Sequence, residues 1–267
     1  MTRRVLVISG LRMSVQDTGS GPAVLLAHGM WCNSRMFEAM TAALQSRFRV
    51  VTPDLRAHGE TQVPDTPWTV MDLADDLVRL LDALGIERAT VAGFSMGGMA
   101  ALQLALRSPD RLDALALLST TAAAEERLRY LQIKGLEIML STGILRRHLA
   151  EEASRWMFAS DFRTLHRSTV RRWIEDVGAM PTSAVLQALE AVGRRPDVMD
   201  RLGEIRVPVL VSAGDADPII PRADAGLMVQ RLPDPTLRIF PGAGHATPIE
   251  RPAELAAEIT NLASSTA

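Results

Sequence analysis

The sequence predicts an α/β protein, a largely parallel sheet flanked by helices and interrupted by a helical insertion. Three observations predict it. Short apolar runs of strand length alternate with stretches of helical period as far as residue 121, an order that requires right-handed crossovers between parallel strands. From about Ala122 to Arg201 the chain turns Arg-rich and helical, with few strand-like runs. After Pro208 the alternation returns. At 267 residues the chain is long enough to bury a full core.

Val5–Ile8 and Arg12–Gln16 read as paired antiparallel strands. Asp17–Pro22 (DTGSGP) is turn chemistry, since Gly supplies positive φ and Pro fixes φ. Ala23–Ala27 (AVLLA) is apolar throughout, the pattern of a strand buried on both faces. Arg49–Thr52 is a strand stopped by Pro53. Apolar residues at Met71, Ala74, Leu77, Val78, Leu81 and Leu84 have helical spacing, and Gly85 ends that helix. Ala89–Ala92 is a strand, Met96–Arg107 a helix and Leu112–Leu118 a strand. Beyond the insertion, strands at Val209–Ala213 and Leu237–Phe240 alternate with helices at Ala223–Arg231 and Ala253–Leu262. The domain boundaries that follow are 1–121 with 202–267 for the core and 122–201 for the insertion.

Composition narrows the function classes. Charged residues are 22% and apolar residues 47%, values of an ordered soluble protein. The formal charge of -2 provides no field for sequence-independent binding of nucleic acid. One cysteine forms no internal disulfide and no Cys-rich zinc site. No stretch approaches the roughly 20 apolar residues of a membrane span, and the apolar run within Met1–Gly10 is too short for a signal-peptide core. The expected compartment is the reducing cytoplasm. Nothing in the sequence reports an oligomeric state.

Gly93-Phe94-Ser95-Met96-Gly97 matches G-x-S-x-G. The pattern alone is weak, but it directly follows the strand containing Thr90-Val91-Ala92 and directly precedes a helix, as a nucleophile elbow requires. The tight turn lifts the Ser95 hydroxyl above the sheet, and the helix N-terminus puts partial positive charge beside it. The bland alternative is a serine N-cap in a Gly-rich turn. His245, in the loop Pro241–His245 after the last strand, is placed to act as a general base; otherwise it is a solvated loop histidine. His148 and His166 lie among helical residues, and His58 shapes the turn Arg56–Gly59. The imidazole needs a carboxylate that fixes its tautomer. Gly214-Asp215-Ala216-Asp217-Pro218 offers two, and spacing leaves both open. The oxyanion needs two backbone N–H groups. Met96 supplies one, and the loop His28–Asn33 supplies the other, with Met30 ahead of Trp31 as donor. Cys32 in that loop reads as a buried structural thiol, since a serine already supplies the nucleophile.

Five motifs in order now resemble the α/β-hydrolase superfamily over nearly the whole chain: LLAHGMW at Leu25–Trp31, DLRAHGET at Asp54–Thr61, VAGFSMGGMAALQLAL at Val91–Leu106, GDADPIIP at Gly214–Pro221 and GAGHATPIERP at Gly242–Pro252. The resemblance implies a mostly parallel eight-stranded sheet with a helical cap. It implies Ser95 as nucleophile, His245 as base and Asp217, rather than Asp215, as acid. It implies an oxyanion hole at the Met30 and Met96 amides; the triad mechanism requires no metal, no dinucleotide motif appears, and no cofactor is expected. Ala57 departs from the family, where many members carry glycine in that turn. The SMGGMA elbow, STTAAAE after the sixth strand and ASRWMFASDF at Ala153–Phe162 are similar to the 3-oxoadipate enol-lactonase group.

The expected substrate is a small ester or lactone, with Trp31 and Trp156 as pocket candidates. Met139, Met157, Met180 and Trp173 are read as packing within the insertion. One of Arg146, Arg147, Arg155, Arg171, Arg172, Arg194 and Arg195 is expected to reach inward toward a substrate carboxylate. Two other function classes stand beside a serine esterase or lactonase. One keeps the triad for C–C bond hydrolysis or perhydrolysis, and the other is a non-catalytic ligand-binding protein on the same fold.

Overall fold

A strand that is apolar at every position must be buried on both faces, and the central strands follow that rule. In the computed structural model, which describes residues 2–126 and 146–265, these strands sit at the middle of an eight-stranded sheet. The strands are β1 (Thr2–Ile8), β2 (Leu11–Thr18), β3 (Ala23–Ala27), β4 (Arg49–Pro53), β5 (Ala89–Phe94), β6 (Leu112–Leu118), β7 (Val209–Gly214) and β8 (Pro235–Phe240). Their spatial order is β1-β2-β4-β3-β5-β6-β7-β8. β2 pairs antiparallel with β1 and with β4, and every other pairing is parallel.

Alternate residues of one strand feed two separate cores. Leu25 and Ala27 enter one, Val24 and Leu26 the other. Leu115 and Leu117 are divided from Ala116 and Leu118 in the same way. Helices α2 (Val70–Ala83) and α3 (Met96–Arg107) belong to the first core. Helix α1 (Glu38–Leu44) packs in the second with the C-terminal helix Pro252–Ser264. A capping box between Thr69 and Asp72 starts α2, and Gly85 at φ 64° lies just past its end.

Between β6 and β7 lie α4 (Arg146–Met157), α5 (Ser160–Leu165), α6 (Arg167–Ala179) and α7 (Thr182–Gly193). The two ends of this insertion are tied together at its base. Val198 N–H donates to the Ala122 carbonyl at 2.9 Å, and the buried Arg195 guanidinium reaches the Ala123 carbonyl at 2.8 Å and Glu125 at 2.7 Å. Helix α8 (Arg222–Val229), the single-turn α9 (Thr247–Glu250) and α10 (Pro252–Ser264) complete the chain. Among the described residues, no helix is long and apolar enough to cross a membrane.

The sequence expectation omitted α1 and the 3-10 turn Ser34–Phe37 before it. Together they are a short stretch capped by Asn33, too brief to show a helical period against its surroundings. β1 is an edge strand, so Val5 and Val7 are 57% and 72% exposed despite their apolar pattern.

Candidate active site

Four residues other than glycine adopt positive φ in the loops that follow the four adjoining strands β4, β3, β5 and β6: Ala57, Trp31, Ser95 and Ser119. Left-handed backbone is unfavourable for a residue with a Cβ, and such strain gathers at functional sites. Ser95 has φ 51° and ψ -115° at the start of α3. The turn closes because of its glycines: a Cβ on Gly97 would overlap the Ala27 carbonyl, and one on Gly93 would overlap the Gly97 carbonyl.

This turn brings Ser95 to His245. The Ser95 hydroxyl lies 3.0 Å from His245 Nε2, and His245 Nδ1 lies 2.7 Å from an Asp217 Oδ. The other Asp217 oxygen accepts the Ile219 and Ile220 amides at 2.7 and 3.0 Å, so the carboxylate is held from behind. Asp215 takes the Gly242 amide at 2.6 Å instead. His245 is 2% exposed, with the Phe94 ring centroid 4.9 Å away. The Ser119 and Thr247 hydroxyls, 3.0 Å apart, join the loop after β6 to the start of α9.

The loop after β3 is a tight turn in which Cys32 N–H donates to the Gly29 carbonyl at 3.2 Å, with Trp31 at φ 60°. Among the described residues no acceptor meets the Met30 or Met96 amide. The Met96 N–H is also one of the orphan donors at the helix start. His28 braces the loop from beneath. Its Nε2 accepts the Leu55 amide at 2.9 Å, so Nδ1 carries the proton and donates to the Gly29 carbonyl at 2.8 Å. Burial lowers the His28 pKa, and the ring is neutral. His58 donates from Nδ1 to the Arg56 carbonyl at 2.9 Å, as expected of a residue shaping that turn. Burial, with His28 nearby, lowers its pKa to about 3. Burial raises the Cys32 thiol to about 12, which makes it a poor nucleophile.

Two clefts of about 310 and 250 Å³ flank this loop, and Trp31 borders both. Trp156 borders neither and is 59% exposed. The buried face of α4 is set by Ala150, Ser154 and Met157 at helical spacing, and Trp156 falls off it. Met157, Met180 and Trp173 are buried as expected, while Met139 lies outside the described residues. Of the seven arginines, one of which is expected to reach inward, four are engaged elsewhere. Arg155 pairs with Glu152, Arg194 with Glu190 and Arg172 with Glu38, Arg171 is exposed, and Arg195 is taken by Glu125. The side chains of Arg146 and Arg147 lie outside the described residues.

Glu250 escaped the sequence reading. Its carboxylate is 6% exposed and accepts the Gly244 amide at 3.1 Å and the Ala159 amide at 3.2 Å. Burial raises its pKa, against the lowering effect of those amides and of Arg251. Its position five residues after His245 on a single-turn helix carries no periodic signal.

A sequence profile described as the alpha/beta hydrolase fold matches residues 22–252. A proposed carbamate hydrolase, RutD, of Caulobacter sp. strain K31 is 32% identical, over 93% of this chain and 94% of its own. 3-Oxoadipate enol-lactonase 1 of Acinetobacter baylyi is 29% identical, over 91% of this chain and 90% of its own. A thermophilic esterase from Thermogutta terrifontis, solved with malate bound, superposes with a TM-score of 0.91 at 28% identity, covering 100% of this chain and 99% of that one. Sheet order, elbow and a profile match over most of the length agree: the chain belongs to the alpha/beta hydrolase fold family, near its enol-lactonase group.

Proposed function

We propose that this protein is a serine hydrolase of small carboxylic esters or lactones, acting through an acyl-enzyme on Ser95. The observation that carries the reading is the unbroken relay from Ser95 Oγ through His245 to Asp217, with contacts of 3.0 and 2.7 Å. Ser95 attacks the acyl carbon while His245 Nε2 takes its proton. Asp217 holds the Nδ1–H tautomer and stabilises the imidazolium. The Met30 and Met96 amides receive the oxyanion. His245 returns its proton to the leaving oxygen, then activates the water that releases the acid. In a lactone the leaving alcohol stays attached, and the product is a single hydroxy or oxo acid.

The inserted helices act as a cap over this site. Support comes from Asp176 on α6, which bonds Asn33 at 3.2 Å and Arg35 at 2.5 Å beside the oxyanion loop. The enol-lactonase and esterase relatives support the ester and lactone classes. Similarity to the proposed carbamate hydrolase supports a second reading, carbamate cleavage by the same relay. A pH-stat assay over simple esters, γ- and δ-lactones, enol-lactones and carbamates, comparing wild type with Ser95→Ala, tests both. Turnover is expected on at least one ester or lactone and is expected to vanish in the variant. Turnover on carbamates alone would favour the second reading, and none on any substrate would overturn both.

A further inference from the structure

Glu250 is a buried carboxylate with no ion-pair partner among the described residues. The adjacent Arg251 guanidinium is directed to the Pro241 and Glu250 carbonyls and to Glu254. A buried charge is tolerated only where hydrogen bonds replace its water. Here each oxygen takes one backbone N–H, and the two donors come from different parts of the chain. Gly244 directly precedes His245, and Ala159 belongs to the insertion. On the other side of the base, Ala246 N–H donates to the Met157 carbonyl at 2.9 Å. Both neighbours of His245 are thus fastened to the turn between α4 and α5, one directly and one through Glu250. The fit is close: a Cβ on Gly244 would lie 2.5 Å from the Ala159 nitrogen and 2.9 Å from a Glu250 oxygen.

We propose that Glu250 is a positioning residue for His245, which makes the placement of the base depend on the docking of the inserted helices at Met157–Ala159. The proposal rests on the serine-hydrolase reading above. The base loop Gly242-Ala243-Gly244-His245 has little side chain with which to hold itself, so its geometry comes from what it is bonded to. Displacing a catalytic group by about 1 Å can slow a reaction by about 100-fold. Glutamine in place of Glu250 keeps the shape but puts an NH2 group, a donor only, where one of the two carboxylate oxygens stood. One of the two backbone amides then faces a donor.

The test follows two signals in wild type, Glu250→Gln and Phe158→Leu: the rate at which a fluorophosphonate labels Ser95, and the low-field proton resonance of His245 Nδ1–H. Phe158 is buried in the docking turn and stacks on Phe162, so its replacement loosens the same contact from the insertion side. At temperatures where circular dichroism shows folded protein, Glu250→Gln is expected to label about tenfold more slowly and to shift or broaden the resonance. Phe158→Leu is expected to change both in the same direction, by less. A merely structural role would lower the melting temperature and leave both signals in place. If wild type labels and whichever variant folds labels within about twofold of it with an unchanged resonance, the positioning role is overturned. If wild-type Ser95 does not label, the hydrolase reading itself fails and the proposal falls with it.

Discussion

Ser95 holds a backbone conformation that a residue with a side chain adopts at a cost on the order of 1–3 kcal/mol. The strain persists because its neighbours leave no alternative, and Gly97 is the tightest point. Gly97→Ala puts a methyl into the Ala27 carbonyl, so a loss of about 3 kcal/mol or more is expected in urea unfolding. Ser95→Ala removes the hydroxyl and leaves the turn. It is expected to keep the fold while lowering kcat by about 10⁴-fold or more. Cys32 tests the site from the other side. With its thiol pKa raised to about 12 by burial, it is expected to resist a disulfide reagent at pH 8 until denaturant is added. Some residue choices were legible and others were not. The G-x-S-x-G turn marked Ser95 from its flanking strand and helix. Asp215 and Asp217 follow the same strand two residues apart, and only the course of the loop sends one to Gly242 and the other to His245.

At the scale of the element, the central strands were readable because each is apolar at consecutive positions and feeds two cores. That reading has a measurable consequence. Leu26→Ala in β3 is expected to cost about 2–5 kcal/mol, whereas Val7→Thr on the exposed edge strand should stay within about 0.5 kcal/mol. Denaturant unfolding of both variants checks this. Helix α1 and the turn before it were hidden by their brevity. The described part of the insertion from Arg146 onward was legible as helical from its composition, but its facing was not. Trp156 and Trp173 look alike in sequence, yet one is 59% exposed and the other 5%. Which side of a short helix faces inward is settled by what it packs against, and those partners lie far away in the chain. Glu250 was invisible for the same reason, since its role depends on a contact with Ala159, 91 residues away.

For the molecule as a whole, buried neutral histidines contribute to the response to acid. His58 has a folded pKa of about 3 against an ordinary value of 6.5, and burial lowers His28 in the same direction. Between those values the unfolded chain binds more protons than the folded one. The stability is therefore complete above about pH 6.5 and is lost as pH falls toward 3, by about 1.4 kcal/mol per pH unit for each histidine inside its window. His58→Asn is expected to flatten the pH dependence of unfolding between pH 6 and 4; an unchanged slope would contradict this origin. The fold itself, a mostly parallel sheet, brings Ser95, Asp217 and His245 together from three distant segments. The central claim is that one of them, Ser95, carries the acyl group. The most direct test is to quench the protein during turnover of an activated ester and locate the added mass by peptide mass spectrometry. The account predicts acylation at Ser95, absent from Ser95→Ala and much slowed in His245→Ala. Acyl mass on another residue, or full turnover in Ser95→Ala, would contradict it.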